Sequence, residues 1–231
     1  MALAHSPRIV TDGLVLCLDA GNTKSYPGSG TTWTDLSGNG NNGTLQNGIG
    51  FDSGNGGSLS FDGVYDVVNL PLSNNLKNTS YTIFGFVKSS VSIQNGSSEK
   101  YLYYFRGTTT GSDRFGVLFG FSSNVNFNNG KLSLIIGDGG WNGYYSSRDS
   151  WSANTWYNVA VTQSGTTYRM YVNGIQTDTG TAVVPQFSGI DQNTFGTKWN
   201  GNIPNALVYN KALTASEIQQ NFNALRGRYG I

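Results

Sequence analysis

The chain has 231 residues and a formal net charge of +1, with its Lys and Arg scattered singly; with no basic stripe to track a phosphate backbone, no nucleic acid is expected as a partner. No apolar run approaches the roughly 20 residues that span a bilayer, and Met1 to Arg8 lacks the apolar segment of a signal peptide, so a protein made in a cytoplasm with no membrane partner is expected. Its 32 Gly are about twice the usual share of roughly 7%, which favours strands and turns over helices.

In chain order, residues 1–12 (MALAHSPRIVTD) hold the single His and a Pro before any strand signal and are expected to form an arm. Leu14 to Leu18 alternates as a strand and carries the lone Cys17, which permits no intrachain disulfide and is expected to be a small buried apolar residue. Ser37 to Gly43 is a loop by its Gly and Asn content, as is Ser53 to Gly57. Leu59, Phe61, Tyr65 and Val67, with Asp62-Gly63 between, predict a short-turned hairpin.

Further strands are predicted at Tyr65 to Leu70, Tyr81 to Lys88, Tyr101 to Arg106, Phe115 to Phe121 and Lys131 to Ile136. Beyond a loop opened by Gly139 and Gly140, strands follow at Trp156 to Gln163, Tyr168 to Val172, Ile175 to Thr177 and Ile203 to Tyr209. Asn173-Gly174 is the favoured type I′ dipeptide and joins two of them in a meander. One helix is predicted: Thr214 and Glu217 make a capping box, Leu213 and Ile218 a hydrophobic staple, and Ile218, Phe222 and Leu225 one apolar stripe, with Gly227 placed to end it. The pattern gives one all-β domain at residues 13–225, flanked by the arm and a tail at 226–231.

The segments GLVLCLDAGN (13–22), TTWTDLSGNGNNGTL (31–45), SLSFDGVYDVV (58–68), WYNVAVTQSGTTYRMYVNG (156–174) and VYNKALTASEIQQNF (208–222) resemble a laminin-G-like domain of the concanavalin A-like lectin/glucanase superfamily. The resemblance implies a jelly-roll sandwich of two antiparallel sheets. The two ends, HSPRIVTDGLVLCLDAGN and NFNALRGRYGI, resemble those of stand-alone structural proteins of tailed phages. This implies a virion protein on the capsid surface, a decoration or fibre-like component, with other virion proteins as partners. A carbohydrate-binding lectin or host-recognition adhesin is the alternative, and a homo-oligomer is compatible with both.

Catalysis is not expected. The superfamily's glucanases carry Glu and Asp at alternate positions of one strand, whereas the only Glu residues here are Glu99, in a Ser/Lys loop, and Glu217, in the helix cap. His5 is remote from any nucleophile motif, and Cys17 lies in an apolar strand. Calcium, common among laminin-G-like domains, would take oxygen ligands from Asp19, Asn22, Asp62 and Asp66; the competing reading is that these residues bond their own turns. Glycan would stack on an aromatic and polar cluster, Trp141, Asn142, Tyr144, Tyr145, Arg148 and Trp151, against the alternative of core packing. Docking to a partner is assigned to His5, Pro7, Arg8, Arg226, Arg228 and Tyr229 at the ends.

Overall fold

The computed structural model describes residues 7–71, 78–94, 99–107, 115–121, 130–187 and 192–231. Its strands in chain order are β1 (Leu14–Asp19), β2 (Thr32–Trp33), β3 (Gly43–Gln46), β4 (Gly50–Asp52), β5 (Ser58–Asp62), β6 (Val67–Asn69), β7 (Tyr81–Ser89) and β8 (Lys100–Gly107). They continue with β9 (Phe115–Phe121), β10 (Leu132–Asp138), β11 (Trp141–Tyr145), β12 (Trp156–Ser164), β13 (Thr167–Val172), β14 (Ile175–Thr181), β15 (Gln192–Phe195) and β16 (Asn200–Tyr209), followed by helix α1 (Ala215–Leu225). Among the described residues no helix is long and apolar enough to cross a membrane.

The strands form two eight-stranded antiparallel sheets packed face to face, the jelly-roll sandwich expected from the sequence. The back sheet runs β14-β13-β12-β7-β16-β5-β4, with β1 beside the second half of β16. The front sheet runs β11-β10-β9-β8-β15-β6-β3-β2. Strand β16 serves two neighbours on one edge, pairing through Asn200 to Ile203 with β5 and through Asn205 to Tyr209 with β1. The register on its other edge, against β7, shifts between Asn202 and Asn205. Pro204 falls in that shift, where its missing N–H leaves no ladder bond broken.

Alternation sorts the side chains of each strand. Tyr157, Val159 and Val161 face the central core with Ile83, Val87, Phe105, Val117, Phe119, Leu134 and Trp199. Asn158, Ala160 and Thr162 point the other way and are buried too, because α1 and both chain ends cover the outer face of the back sheet. There Phe84, Phe86, Trp156, Tyr171, Leu207 and Tyr209 pack with Ile218, Phe222 and Leu225 of α1, and with Val10 and Tyr229. Cys17 belongs to this second core, where burial pushes its thiol up to about 12.

The helix begins as predicted, with Thr214 and Glu217 exchanging both capping-box bonds. Its end differs. Gly227 lies inside a short 3-10 turn, Arg226–Arg228, that carries the chain back to the sheet, and the left-handed glycine comes at Gly230. The Asn173-Gly174 turn has φ of 50° and 75°, the type I′ pattern. A Cβ on Gly174 would fall 2.8 Å from the Phe222 ring, so glycine also lets the hairpin seat against α1.

The predicted Asp62-Gly63 hairpin is not formed, because β5 belongs to the back sheet and β6 to the front. The segment between them crosses from one sheet to the other, which its strand-turn-strand composition does not distinguish from a hairpin. Strands β2, β3, β4, β11 and β15, each of two to five residues, lie where no strand is predicted, since runs this short carry too little alternation to mark them. In the Gly/Asn-rich loop after β2, the Asp35 carboxylate accepts from the N–H groups of Cys17, Ser37 and Asn41 and from the Ser37 hydroxyl. That motif therefore fastens the loop to β1.

The two ends are parts of the fold. The Val10 N–H donates to Asn221 Oδ1 and its carbonyl accepts from the Tyr209 hydroxyl at 3.0 Å. Tyr229 sits between Phe86 and Trp156, with ring centroids 4.5 and 4.8 Å away, and its hydroxyl accepts from Asn205 Nδ2. Replacing Tyr229 by Ala is expected to destabilise the domain by about 3 to 5 kcal/mol, the usual cost of emptying a buried aromatic site. Denaturant unfolding checks this: an unchanged midpoint would show that the tail does not hold the fold.

Candidate functional site

Among the described residues, covering the back sheet leaves the outer face of the front sheet as the uncovered one, and there the side chains that do not enter the core line an open groove. On β8, Tyr103 and Phe105 point inward, while Tyr104 and Arg106 point outward. A bulge between Tyr101 and Tyr103 puts Tyr101 on the outer face as well. One outward row across the strands reads Gln192, Arg106, Gly116, Gly137, Trp141. The next reads Asn69, Thr194, Tyr104, Leu118, Ile135, Gly143.

These rows floor an open groove of about 800 Å³, walled at one end by Val64, Tyr65, Asp66, Glu99 and Lys198. It crosses six strands from β6 to β11, a span of about 24 Å at the usual strand spacing of about 4.8 Å. Tyr101, Leu118, Ile135, Tyr104 and Trp141 form an apolar cluster separate from both cores, and the Tyr101 and Tyr104 rings meet edge to face at 5.3 Å. Tyr65 is 76% exposed and Val64 60%, at the tip of the sheet-crossing segment. The groove thus combines flat aromatic faces with amide, hydroxyl, carboxylate and guanidinium groups.

The polar groups have distinct states. Lys198 Nζ and Glu99 Oε2 pair at 3.3 Å on the rim. Asp62 Oδ1 accepts from the N–H groups of Val64, Tyr65 and Asp66, and chiefly the first of these holds its carboxyl below the usual range. Asp66 is shifted the other way, raised by burial, with the bond from the Asp62 N–H opposing and the neighbouring Asp62 charge adding to the rise. Asp66 Oδ1 and Arg106 Nε are both buried without a hydrogen-bond partner. Burial pushes Tyr145 up to about 12 and Tyr101 well above the usual phenol range.

Of the six residues expected to meet glycan, only Trp141 lines this groove. They lie on a strand and the turn after it, and alternation divides them. Tyr145 faces outward with Trp141, in the row that contains Tyr101. Asn142 bonds Asp138, and Tyr144 packs on the Tyr168 ring and accepts from the Val183 N–H, on the inner side. Trp151 is buried, its indole N–H donating to the Gly130 carbonyl, and Arg148 lies over the Trp151 and Tyr157 rings. Tyr101, Tyr104, Arg106, Gln192 and Thr194 were not singled out from sequence. In YLYYFRG aromatics fill nearly every position, so alternation does not mark the outward ones, and only Arg106 signals a solvent side.

The four residues considered for calcium do not come together as one ligand set. Both Asp19 carboxylate oxygens accept from Arg228 Nη1 at 2.8 Å, and Asn22 Oδ1 accepts from the Lys24 N–H. Gly57 at the head of β5 touches Ala20, which leaves Asp62 and Asp66 about 16 Å away along the strand at about 3.3 Å per residue. Among the described residues that second pair offers two carboxylate oxygens without a hydrogen bond, Asp62 Oδ2 and Asp66 Oδ1, so calcium there would draw most of its six to eight oxygens from backbone carbonyls and water. Among the described residues no three His, Cys, Asp or Glu side chains gather in one place.

The docking residues also divide. His5 lies outside the described residues. Pro7, Arg8 and Arg226 are exposed, although the Arg8 carbonyl accepts from Gln220 and the Arg226 guanidinium lies over the Phe222 ring. Arg228 is exposed, with its guanidinium bonded to Asp19, whereas Tyr229 is buried in the second core and holds the fold.

Residues 61–219 match a family model, Laminin G-like, described as "Concanavalin A-like lectin/glucanases superfamily". Among curated proteins no sequence matches. Domain 4 of AbnA, a GH43 extracellular arabinanase from Geobacillus stearothermophilus solved in complex with arabinotriose, superposes with a TM-score of 0.66 at 19% identity, over 90% of this chain and 97% of that one. The binding domain of Paraclostridial Mosquitocidal Protein 1 gives 0.66 at 17%, over 93% and 52%. Trypanosoma rangeli sialidase gives 0.66 at 18%, over 94% and 33%, so this chain spans about half of the toxin structure and a third of the sialidase. At these identities the likeness is one of fold.

Because the Asp66 carboxyl is raised in the folded state, its stabilising contribution is present in acid and lost as the pH rises through that value. Asp66→Asn keeps an oxygen for the Asp62 N–H and removes the buried charge. The variant is expected to melt higher than the parent at pH 7, with the gap closing as the pH falls below the usual carboxylate range. Melting curves across pH 3 to 8 decide it, and a gap that widens in acid would contradict the assignment.

Proposed function

The chain belongs to the laminin G-like family of the concanavalin A-like lectin/glucanases superfamily, and from that premise we propose that it is a non-catalytic, glycan-binding domain whose front-sheet groove is the binding face. The observation that carries the reading is the groove itself. An open cleft across six strands, floored by an aromatic and aliphatic cluster and edged with hydrogen-bonding groups, offers what a sugar chain presents: apolar ring faces and a girdle of hydroxyls. Its open ends suit a segment of a chain rather than a single enclosed ring. The arabinotriose complex of the AbnA domain gives the same fold a sugar ligand and supports the reading.

Binding without turnover is supported by the state of the groove's acids. Glu99 is paired with Lys198, and Asp66 is bonded to the backbone of its own loop. Retaining hydrolysis needs a nucleophile and an acid flanking the scissile bond about 5 to 5.5 Å apart. Turnover on a polysaccharide panel that disappears in Glu99→Gln would replace this reading with a hydrolase.

The setting proposed for the binding face is the surface of a tailed-phage particle, with the protein made in the host cytoplasm and mounted on other virion proteins. Its support is the resemblance of the two end segments to phage structural proteins. The packing of Val10 and Tyr229 confines any docking role to the exposed residues at the ends. Cryo-electron microscopy of particles is the test: regular copies over the capsid are expected, and absence from particles would leave a cell-surface lectin.

The groove is tested by substitution. Trp141→Ala and Tyr104→Ala are each expected to weaken binding to a retained glycan by about 5- to 150-fold, as loss of an aromatic face typically costs about 1 to 3 kcal/mol, while leaving the melting temperature within a few degrees. Trp151→Ala, which empties a buried site, is expected to unfold the domain. Glycan affinity that survives Trp141→Ala and Tyr104→Ala together would move the site off this face.

A further inference from the structure

Among the described residues Arg106 is a cation without a counter-ion. Its Nε is buried and has no hydrogen-bond partner, and among the described residues no carboxylate lies within ion-pair distance of its guanidinium. It stands on β8, the third of the six strands under the groove, in the same outward row as Gln192 and Trp141. Gly116 and Gly137 occupy the positions between Arg106 and Trp141, so no side chain rises between the guanidinium strand and the indole strand. Tyr104, two residues away on the same face, supplies a second ring.

The charges in the groove are separated along the strands. The Tyr101 N–H donates to the Thr197 carbonyl, which places Lys198 and its partner Glu99 at the Tyr101 end. Asp66 belongs to that end too, since it lies beyond Val68, which pairs with Phe195, on the side of Thr197. Arg106 is five residues further along β8, about 15 Å away at the usual rise per residue. One end thus holds two acids and a lysine already paired; the other holds a lone arginine flanked by aromatic faces.

A planar guanidinium fork matches a carboxylate in a two-bond arrangement, and a part-buried cation gains most from a partner that brings the missing charge. Resting on the glycan-binding reading above, we propose that the groove selects acidic polysaccharides, with the carboxylate of a uronate residue seated on Arg106 and the ring of that sugar or its neighbour lying between Tyr104 and Trp141. The neutral and acidic groups at the Tyr101 end then serve hydroxyls of the residues that follow. Arg106 is a specificity residue in this arrangement, and its side chain makes no ion pair among the described residues that a substitution would break.

The test is calorimetric binding of the full chain to three uronate polymers, galacturonan, alginate and hyaluronan, each beside its carboxyl-reduced counterpart. At least one uronate polymer is expected to bind, and carboxyl reduction to weaken it about 10- to 100-fold, the usual worth of a charge-assisted pair. Arg106→Gln is expected to abolish the preference while melting like the parent, and Arg106→Lys, which keeps the charge without the fork, to fall between. A preference that persists in Arg106→Gln overturns the assignment. Equal binding of the reduced and unreduced forms, lost in Trp141→Ala, also overturns it while leaving the glycan reading in place. No binding to these polymers or to any neutral glycan on an array removes both.

Discussion

Tyr229, stacked between Phe86 and Trp156, and the Ile218–Phe222–Leu225 stripe of α1 close the outer face of the back sheet. A two-sheet sandwich has two outer faces, and a sheet that is apolar on both sides must be covered on both. The back sheet is such a sheet: Phe84, Phe86 and Leu207 oppose the core-facing Ile83, Val87 and Val208. The chain ends supply the cover, and Val10 and Asn221 bind it together through buried hydrogen bonds. The front sheet is not so built. Its outward positions mix Gly, Ser, Thr, Gln and Arg with a few rings, and that face stays open to a ligand.

The same division explains what the recurrent motifs do. Asp35 ties the Gly/Asn-rich loop to β1, Asp19 holds Arg228, and Thr214 with Glu217 starts the helix. These polar residues stabilise the scaffold by satisfying backbone groups that would otherwise be buried unpaired. Among the buried side-chain atoms left without such partners are Arg106 Nε and Asp66 Oδ1, which belong to groove residues. A family resemblance carried by the first set therefore locates the fold and says little about the ligand, which depends on the second.

The long strands, the type I′ turn and the helix cap were legible in the sequence, because period-two alternation, a dipeptide that tolerates positive φ and a side chain that caps N–H groups are local properties. The short strands β2, β3, β11 and β15 were not, since runs of two to five residues carry too little alternation to mark them. Asp62-Gly63 has hairpin chemistry, yet the chain there changes sheet, and nothing in the dipeptide records which strand comes next in space. Around Trp141 the sequence showed an aromatic cluster but not its division: Trp141 and Tyr145 face out, whereas Tyr144 and Trp151 are packed inside.

By itself, then, the sequence determined an all-β chain with one capped helix and a lone cysteine in an apolar strand, consequences of neighbours within a few residues, while the sandwich followed from the family resemblance. Only the tertiary structure decided which sheet is covered, that Asp19 and Asp62 serve separate turns, and that Arg106, Tyr104 and Trp141 share one groove. Those facts depend on register between strands far apart in sequence, such as β8 and β15, whose Arg106 and Gln192 pair across 86 residues. Register is set by the burial of inner faces, and it positions the outer faces without their own residues having any part in the choice.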